Sequence, residues 1–210
     1  MASFFNRSGA RDVVRLEAFT DGVFAIAITL LVLDIKVPPL EILPEGVSLW
    51  STLGHRWPNF LGYGVTFAIL GTMWANHHDI CHFIGRVDRV FLMLNLALLL
   101  LVCIQPFTTA LVSEYLREGE RGSQAVILYA GTLTVTAFVY NLLWHYAARG
   151  RRLIRNDTSQ EAIEDVTKRY RFGPIIYGAA TVLAYFSAMA SLVTMGLLAI
   201  FFAIPFKAER

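Results

Sequence analysis

Residues 15–34 read RLEAFTDGVFAIAITLLVLD. From Gly22 to Leu33 no side chain is charged, and Thr29 is the one polar residue. The run is too long for a strand, and its apolar residues are contiguous rather than alternating, so it reads as a helix. Taken from Val13 to Ile35, the block reaches far enough as a helix to cross a hydrocarbon core of roughly 30 Å. Arg15, Glu17, Thr20 and Asp21 crowd its entry. This is a membrane span that begins with a polar turn.

The rest of the chain repeats the pattern. Apolar blocks occur at about 57–80, 89–113 and 123–148. An uncharged stretch then runs from Phe172 to Phe206. As one helix that stretch would be about 50 Å long, well beyond the hydrocarbon thickness. It divides into spans at about 172–189 and 191–206, with the turn expected near Met189 to Ser191. The expectation is a polytopic, all-α membrane protein with six transmembrane helices and one transmembrane domain over 1–210. Pro106, near the far end of the third span, predicts a kink.

Composition agrees. Of 210 residues, 56% are hydrophobic and 16% charged, against roughly a quarter charged in soluble domains. A net charge of +2 gives no footprint for nucleic acid. Cys81 and Cys103 both lie in or beside apolar blocks, which excludes a cysteine zinc motif and argues against a structural disulfide. Arg7, Arg11 and Arg15 before an apolar run imitate a signal peptide. Glu17 and Asp21 interrupt that run, however, so the first helix is expected to be retained.

Orientation follows from the basic residues. Six spans place Arg7, Arg11, Arg15, Arg86, Arg89, Lys207, Arg210 and the basic loop from Arg149 to Arg171 on one side. Lys36, Arg56, Arg117 and Arg121 fall on the other, with Asp34, Glu41, Glu45, Glu114, Glu118 and Glu120. The bias predicts both termini in the cytoplasm of a multi-pass cell-membrane protein. The loop RGRRLIRNDTSQEAIEDVTKRY (149–170) is mixed in charge and suits a membrane-surface segment.

Ionisable and polar groups inside spans are costly and therefore candidates for function. Asp21 lies six residues inside Arg15, and Asn95 six inside Arg89, so both sit about 9 Å from the cytoplasmic edge. The second span runs the opposite way and brings His77 or His78 to a similar depth. Three neighbouring helices can therefore share a hydrogen-bonded polar knot.

Arg15, Phe19, Thr20 and Asp21, followed by the run to Asp34, resemble the first helix of the transmembrane protein 175 family of potassium channels. That family carries an Arg-x-x-x-Phe-Ser-Asp pattern there, and Thr20 replaces the usual Ser with another hydroxyl. Trp74 to Phe83, and Leu94 to Leu111 with Asn95 and Pro106-Phe107, are similar to its second and third helices. The resemblance is strong over the first half of the chain and rests on span count and length beyond. It implies a prokaryotic single-repeat subunit that assembles as a homotetramer around a central pore. The first helix of each subunit would line the pore and form a hydrophobic constriction, and the signature residues would be structural. No cofactor is implied beyond permeant potassium ions, and the partners are monovalent cations, the lipid bilayer and further copies of the chain.

Helix geometry accommodates this. At about 100° per residue, Ile26, Leu30 and Leu33 fall in a stripe about 60° wide, with Thr29 at its edge. Thr20 and Asp21 point more than about 120° away. An apolar stripe alone is usually packing or lipid contact; it is the resemblance that makes Ile26, Leu30 and Leu33 the expected constriction and Thr29 the expected ion contact. Arg15, Phe19, Thr20, Asp21, Trp74, His77 and Asn95 are the expected supporting network. A ring of four Ile26 side chains would bar a fully hydrated ion and favour potassium, which sheds water more cheaply than sodium; Thr29 hydroxyls and backbone carbonyls could replace the lost oxygens.

Other readings carry less. Leu61-Gly62-Tyr63-Gly64 contains the Gly-Tyr-Gly of carbonyl-lined filters, but no Thr-Val precedes it, and glycines in membrane helices serve close packing. His77, His78 and His82 suggest a metal-dependent membrane enzyme, yet a chain with five histidines is too poor for a dinuclear iron site, and a zinc enzyme needs three convergent ligands. A proton-coupled transporter using Asp21 and a histidine is the main alternative, and the sequence has none of the repeats or broken helices that such transporters show. No enzyme and no metal centre are expected.

Overall fold

In a computed structural model, the protein is described over residues 2–38, 46 and 48–204, with side chains from Arg11 onward. Glu41, Glu45, Lys207 and Arg210, the side chain of Arg7 and the end of the expected 191–206 span lie outside the described residues.

The architecture is all-helical. Helix α1 covers Ala2–Leu30 and tightens into a 3-10 turn at Leu31–Asp34. The short α2, Leu49–His55, is capped by Ser48, whose hydroxyl accepts from the Trp50 N–H. Helix α3 spans Trp57–Phe83, with Pro58 in its first turn, where the missing N–H costs nothing. Helices α4 (Arg89–Tyr115) and α5 (Glu120–Ala148) form an antiparallel hairpin. Its turn depends on glycine: Gly119 has φ +57°, and a Cβ on Gly122 would meet the Leu116 and Tyr115 carbonyl oxygens at 2.7 Å. The amphipathic α6 (Gln160–Arg171) leads into α7 (Gly173–Leu183) and α8 (Ala188–Ala203). Among the described residues there is no strand, only an isolated bridge between Ile84 and Ile154. That bridge ties the α3–α4 connection to the segment after α5.

Among the described residues, three helices are long and apolar enough to span a bilayer: Arg11–Asp34, Arg89–Tyr115 and Glu120–Arg151. Against the six spans expected, α3 has the length, at 27 residues, but spends its last two turns on Asn76, His77, His78, Asp79 and His82. Helices α7 and α8 have 11 and 16 residues, each shorter than a roughly 30 Å core requires. The turn between them lies at Ala184–Ser187, not at Met189 to Ser191. Ser187 caps α8 by accepting from the Ala190 N–H, whereas Ser191 is buried and donates to the Ala180 carbonyl at 2.8 Å. The sequence offers two serines four apart, and only packing selects which one ends the helix. Helix α4 passes through Pro106 without a break in its assignment.

The main core joins α3, α4, α5, α6, α7 and α8 around Leu98, Tyr129, Leu133, Leu143 and Trp144. Helix α1 stands at its edge, adds Val13 and Leu16 to it, and packs chiefly on α3 and α4. A second, smaller cluster of Phe24, Ala27, Leu31, Leu70, Leu99 and Val102 holds it there. Gly62, from the Gly-Tyr-Gly stretch, lies buried inside α3, where a Cβ would come 2.9 Å from Ser113 Oγ of α4. It permits a close helix crossing, as a packing glycine does.

Asp88 caps α4 by accepting from the Phe91 N–H at 2.9 Å and also accepts from the Tyr146 hydroxyl at 2.7 Å. Desolvation pushes its carboxyl up, but these hydrogen bonds and Arg152 outweigh that and hold it below the usual range. A depressed carboxyl stabilises the fold above its unfolded pKa and loses that contribution as pH falls through the folded value. Asp88→Ala should therefore cost about 1 kcal/mol near neutrality, and thermal melts should show the gap from wild type closing below about pH 4.

Candidate functional site on the first helix

Among the described side chains, the buried residues of α1 and the 3-10 turn after it are Val13, Leu16, Thr20, Phe24, Ala27 and Leu31. Their spacing of three and four residues draws one stripe along the helix. That stripe faces α3 and α4. On the opposite side Arg15, Phe19, Gly22, Ile26, Thr29, Leu30 and Leu33 form an equally continuous exposed face. Ile26 is 61% exposed and Leu33 69%. The Thr29 hydroxyl is directed back at the Ala25 and Ile26 carbonyls, both at 2.9 Å. With its single proton committed to its own helix, Thr29 Oγ1 presents lone pairs outward.

Behind this face lies a buried hydrogen-bond chain. Thr20, His77 and Asn95 are each 1% exposed or less. Asn95 Nδ2 donates to Thr20 Oγ1 at 2.9 Å, and Asn95 Oδ1 lies 2.9 Å from His77 Nε2. A carbonyl oxygen accepts only, so His77 carries its proton on Nε2. Neutral His77 then offers Nδ1 as an acceptor to the Cys81 thiol, 3.6 Å away. One residue from each of α1, α3 and α4 meets in this chain, and it satisfies both ends of the Asn95 amide.

Nearer the surface, a ladder links α1 to α3. Trp74 Nε1 donates to Asp21 Oδ1 at 2.8 Å. One turn further along each helix, Glu17 Oε1 lies 2.7 Å from His78 Nδ1. The Trp74 and His78 rings stack with centroids 6.3 Å apart. His82 Nε2, one turn beyond, is 3.1 Å from His78 Nε2.

Of the expected network, Thr20, His77 and Asn95 are brought together, and Asp21 pairs with Trp74. Arg15 and Phe19 are not brought in. Arg15 has no hydrogen-bond or ion-pair partner among the described residues, and Phe19 is exposed. The reason is rotational. Spacings of eleven and seven residues put Arg15 and Phe19 within about 20° of Ile26 around the helix, so they belong to the outer face. The three histidines also diverge. His77 points into the core, while His78 and His82 lie outside it, and no group of three or more His, Cys, Asp or Glu side chains among the described residues could hold a metal.

Two groupings were missed. Glu17 and His78 follow only once the Asp21–Trp74 pair is known, since each stands one turn from a member of that pair and antiparallel helices keep such rungs in register. The other, Thr66 with Thr109 at 2.9 Å and with the Tyr129 hydroxyl at 3.0 Å, joins α3, α4 and α5, and no periodicity announces it.

The sequence profile of the family described as the endosomal/lysosomal potassium channel TMEM175 matches residues 15–106. A potassium channel of Chamaesiphon minutus is 44% identical over 190 residues, which cover 90% of this chain and 93% of that one. One of Streptomyces collinus is 40% identical over 188 residues, with 90% of each chain covered. The chain belongs to the TMEM175 family. The crystal structure of a lysosomal potassium-selective channel TMEM175 homolog from Chamaesiphon minutus superposes with a TM-score of 0.83 at 43% identity, covering 92% of this chain and 97% of that one. TMEM175 is a family of membrane channels, so the chain is a membrane protein and not an enzyme.

Loss of the Asn95 amide would leave the Thr20 hydroxyl and the His77 N–H without partners. Asn95→Ala should cost about 1–3 kcal/mol. Trp74→Phe, which cuts a half-exposed bond, should cost less than about 1 kcal/mol. Thermal melts of the purified variants would give this ranking.

Proposed function

We propose that the chain is a subunit of a potassium-preferring cation channel of the cell membrane. Four copies surround a central pore, each contributing α1, with six spans per subunit and both termini cytoplasmic. Ile26, Leu30 and Leu33 form the hydrophobic constriction, and Thr29 offers oxygen to the passing ion. The network behind them (Thr20, Asp21, Trp74, His77 and Asn95) fixes the rotation of α1, with Arg15 and Phe19 on the pore-side face at its cytoplasmic end.

The observation that carries this reading is the exposed face of α1. Ile26 and Leu33 on it are more than half exposed, while the opposite face is locked by packing and by a buried hydrogen-bond chain. Rotating α1 to hide Ile26 would break the Thr20–Asn95 bond. The names of the relatives support potassium as the permeant ion. An ion crossing a greasy ring must shed part of its hydration, which costs potassium less than sodium, and the outward lone pairs of Thr29 return part of that loss. No cofactor takes part; the partners are monovalent cations, lipid and the other subunits.

Purified protein in planar bilayers under opposed potassium and sodium gradients should give a potassium-preferring reversal potential. Ile26→Asn should move that potential toward zero. Well-assembled protein without current would overturn the channel reading in favour of a proton-coupled transporter. Asp21→Ala should reduce the yield of assembled oligomer while the channels that do form keep wild-type selectivity; full assembly with altered selectivity would place Asp21 in the ion path instead.

A further inference from the structure

The histidine pair at the end of α3 has a geometry that the ion path does not use. His78 and His82 are four residues apart on one helix face, and their Nε2 atoms are 3.1 Å apart. A tetrahedral zinc ion with Zn–N bonds of about 2.0–2.1 Å holds two nitrogens roughly 3.3 Å apart. The rings are nearly perpendicular, at 86°, so small side-chain rotations aim both nitrogens at one point without a ring clash. Both residues are accessible: the His78 side chain is 44% exposed, and His82 is exposed.

A second observation comes from the other nitrogen of His78. Nδ1 faces the Glu17 carboxylate at 2.7 Å. A carboxylate there keeps the proton on Nδ1 and leaves the Nε2 lone pair free. This is the arrangement in which a carboxylate fixes the tautomer and raises the basicity of a metal-bound imidazole. Trp74 stacks on the His78 ring and donates to Asp21, which further limits its rotation.

We propose that His78 and His82 form a binding site for a transition-metal dication of the zinc type, with Glu17 as the positioning carboxylate behind His78. His78 binds in the tautomer it already has. His82 moves its proton from Nε2 to Nδ1 through solvent. Water completes the coordination from the open side, so the site is a two-ligand chelate and not a catalytic centre. Because Glu17 belongs to α1 and both histidines to α3, an ion here tightens the contact between the two helices.

The test uses tag-free, full-length oligomer in detergent, titrated calorimetrically with zinc chloride near pH 7.5. Wild type should bind one saturable zinc per chain and melt at a higher temperature with zinc than without. His82→Gln should weaken binding at least tenfold and abolish the thermal shift. Glu17→Gln should weaken binding about tenfold, the range expected when a partner behind a ligand is lost. Copper(II) bound to the wild type should show two nitrogen ligands by electron paramagnetic resonance, and one in His82→Gln. No saturable zinc in the wild type, unchanged affinity in His82→Gln, or fewer than two nitrogens on copper would overturn the site. Unchanged affinity in Glu17→Gln would overturn the role given to Glu17.

Discussion

The amide of Asn95 is the point on which the arrangement of the first helix depends. It sits inside α4, donates to Thr20 of α1 and accepts from His77 of α3. In lipid, apolar helices gain little by hiding from their solvent, because acyl chains are as apolar as leucine. Close packing and interhelical hydrogen bonds therefore decide which face of a helix points where. Each such bond contributes only about 0.6 kcal/mol on average, but turning α1 would leave buried donors unpaired, which costs more than the bonds contribute. The network thus acts chiefly by excluding other rotations of α1.

The small apolar cluster around Phe24, Leu70 and Leu99 extends the same constraint toward the other end of α1. Toward its start, Val13 and Leu16 join the main core, which is otherwise knitted by the α4–α5 hairpin and by α7 and α8. The chain divides its labour accordingly. One part builds a rigid helical body, and the other mounts a single helix on the rim of that body with one face presented outward.

Polar groups toward the N-terminal half of this mount fall into two sets with different surroundings. Thr20, His77 and Asn95 are sealed, so their protons and tautomers are fixed by one another. Glu17, Asp21, Trp74, His78 and His82 lie in a ladder that solvent reaches. Adjacent residues in sequence, His77 and His78, end up in different sets because a helix turns by about 100° between them. One histidine is structural, and its neighbour is available to bind.

The sequence by itself determined that the chain is a helical membrane protein, because long uncharged runs admit no other backbone solution in lipid. It also determined which residues share a face of α1, since a helix has one period. Depth relative to Arg15 and Arg89 put Asp21 level with Asn95, but the structure gives Asn95 the neighbouring Thr20 hydroxyl and gives Asp21 to Trp74. That period already placed Arg15 and Phe19 on the Ile26 face, and their placement in the network came from the resemblance alone. Other points needed the tertiary structure. Which of Ser187 and Ser191 ends a helix, which of His77 and His78 meets Asn95, and that Glu17 faces His78 all depend on how separate helices are rotated and staggered against one another. Local sequence fixes the period of each helix. Contacts between residues far apart in the chain fix its rotation.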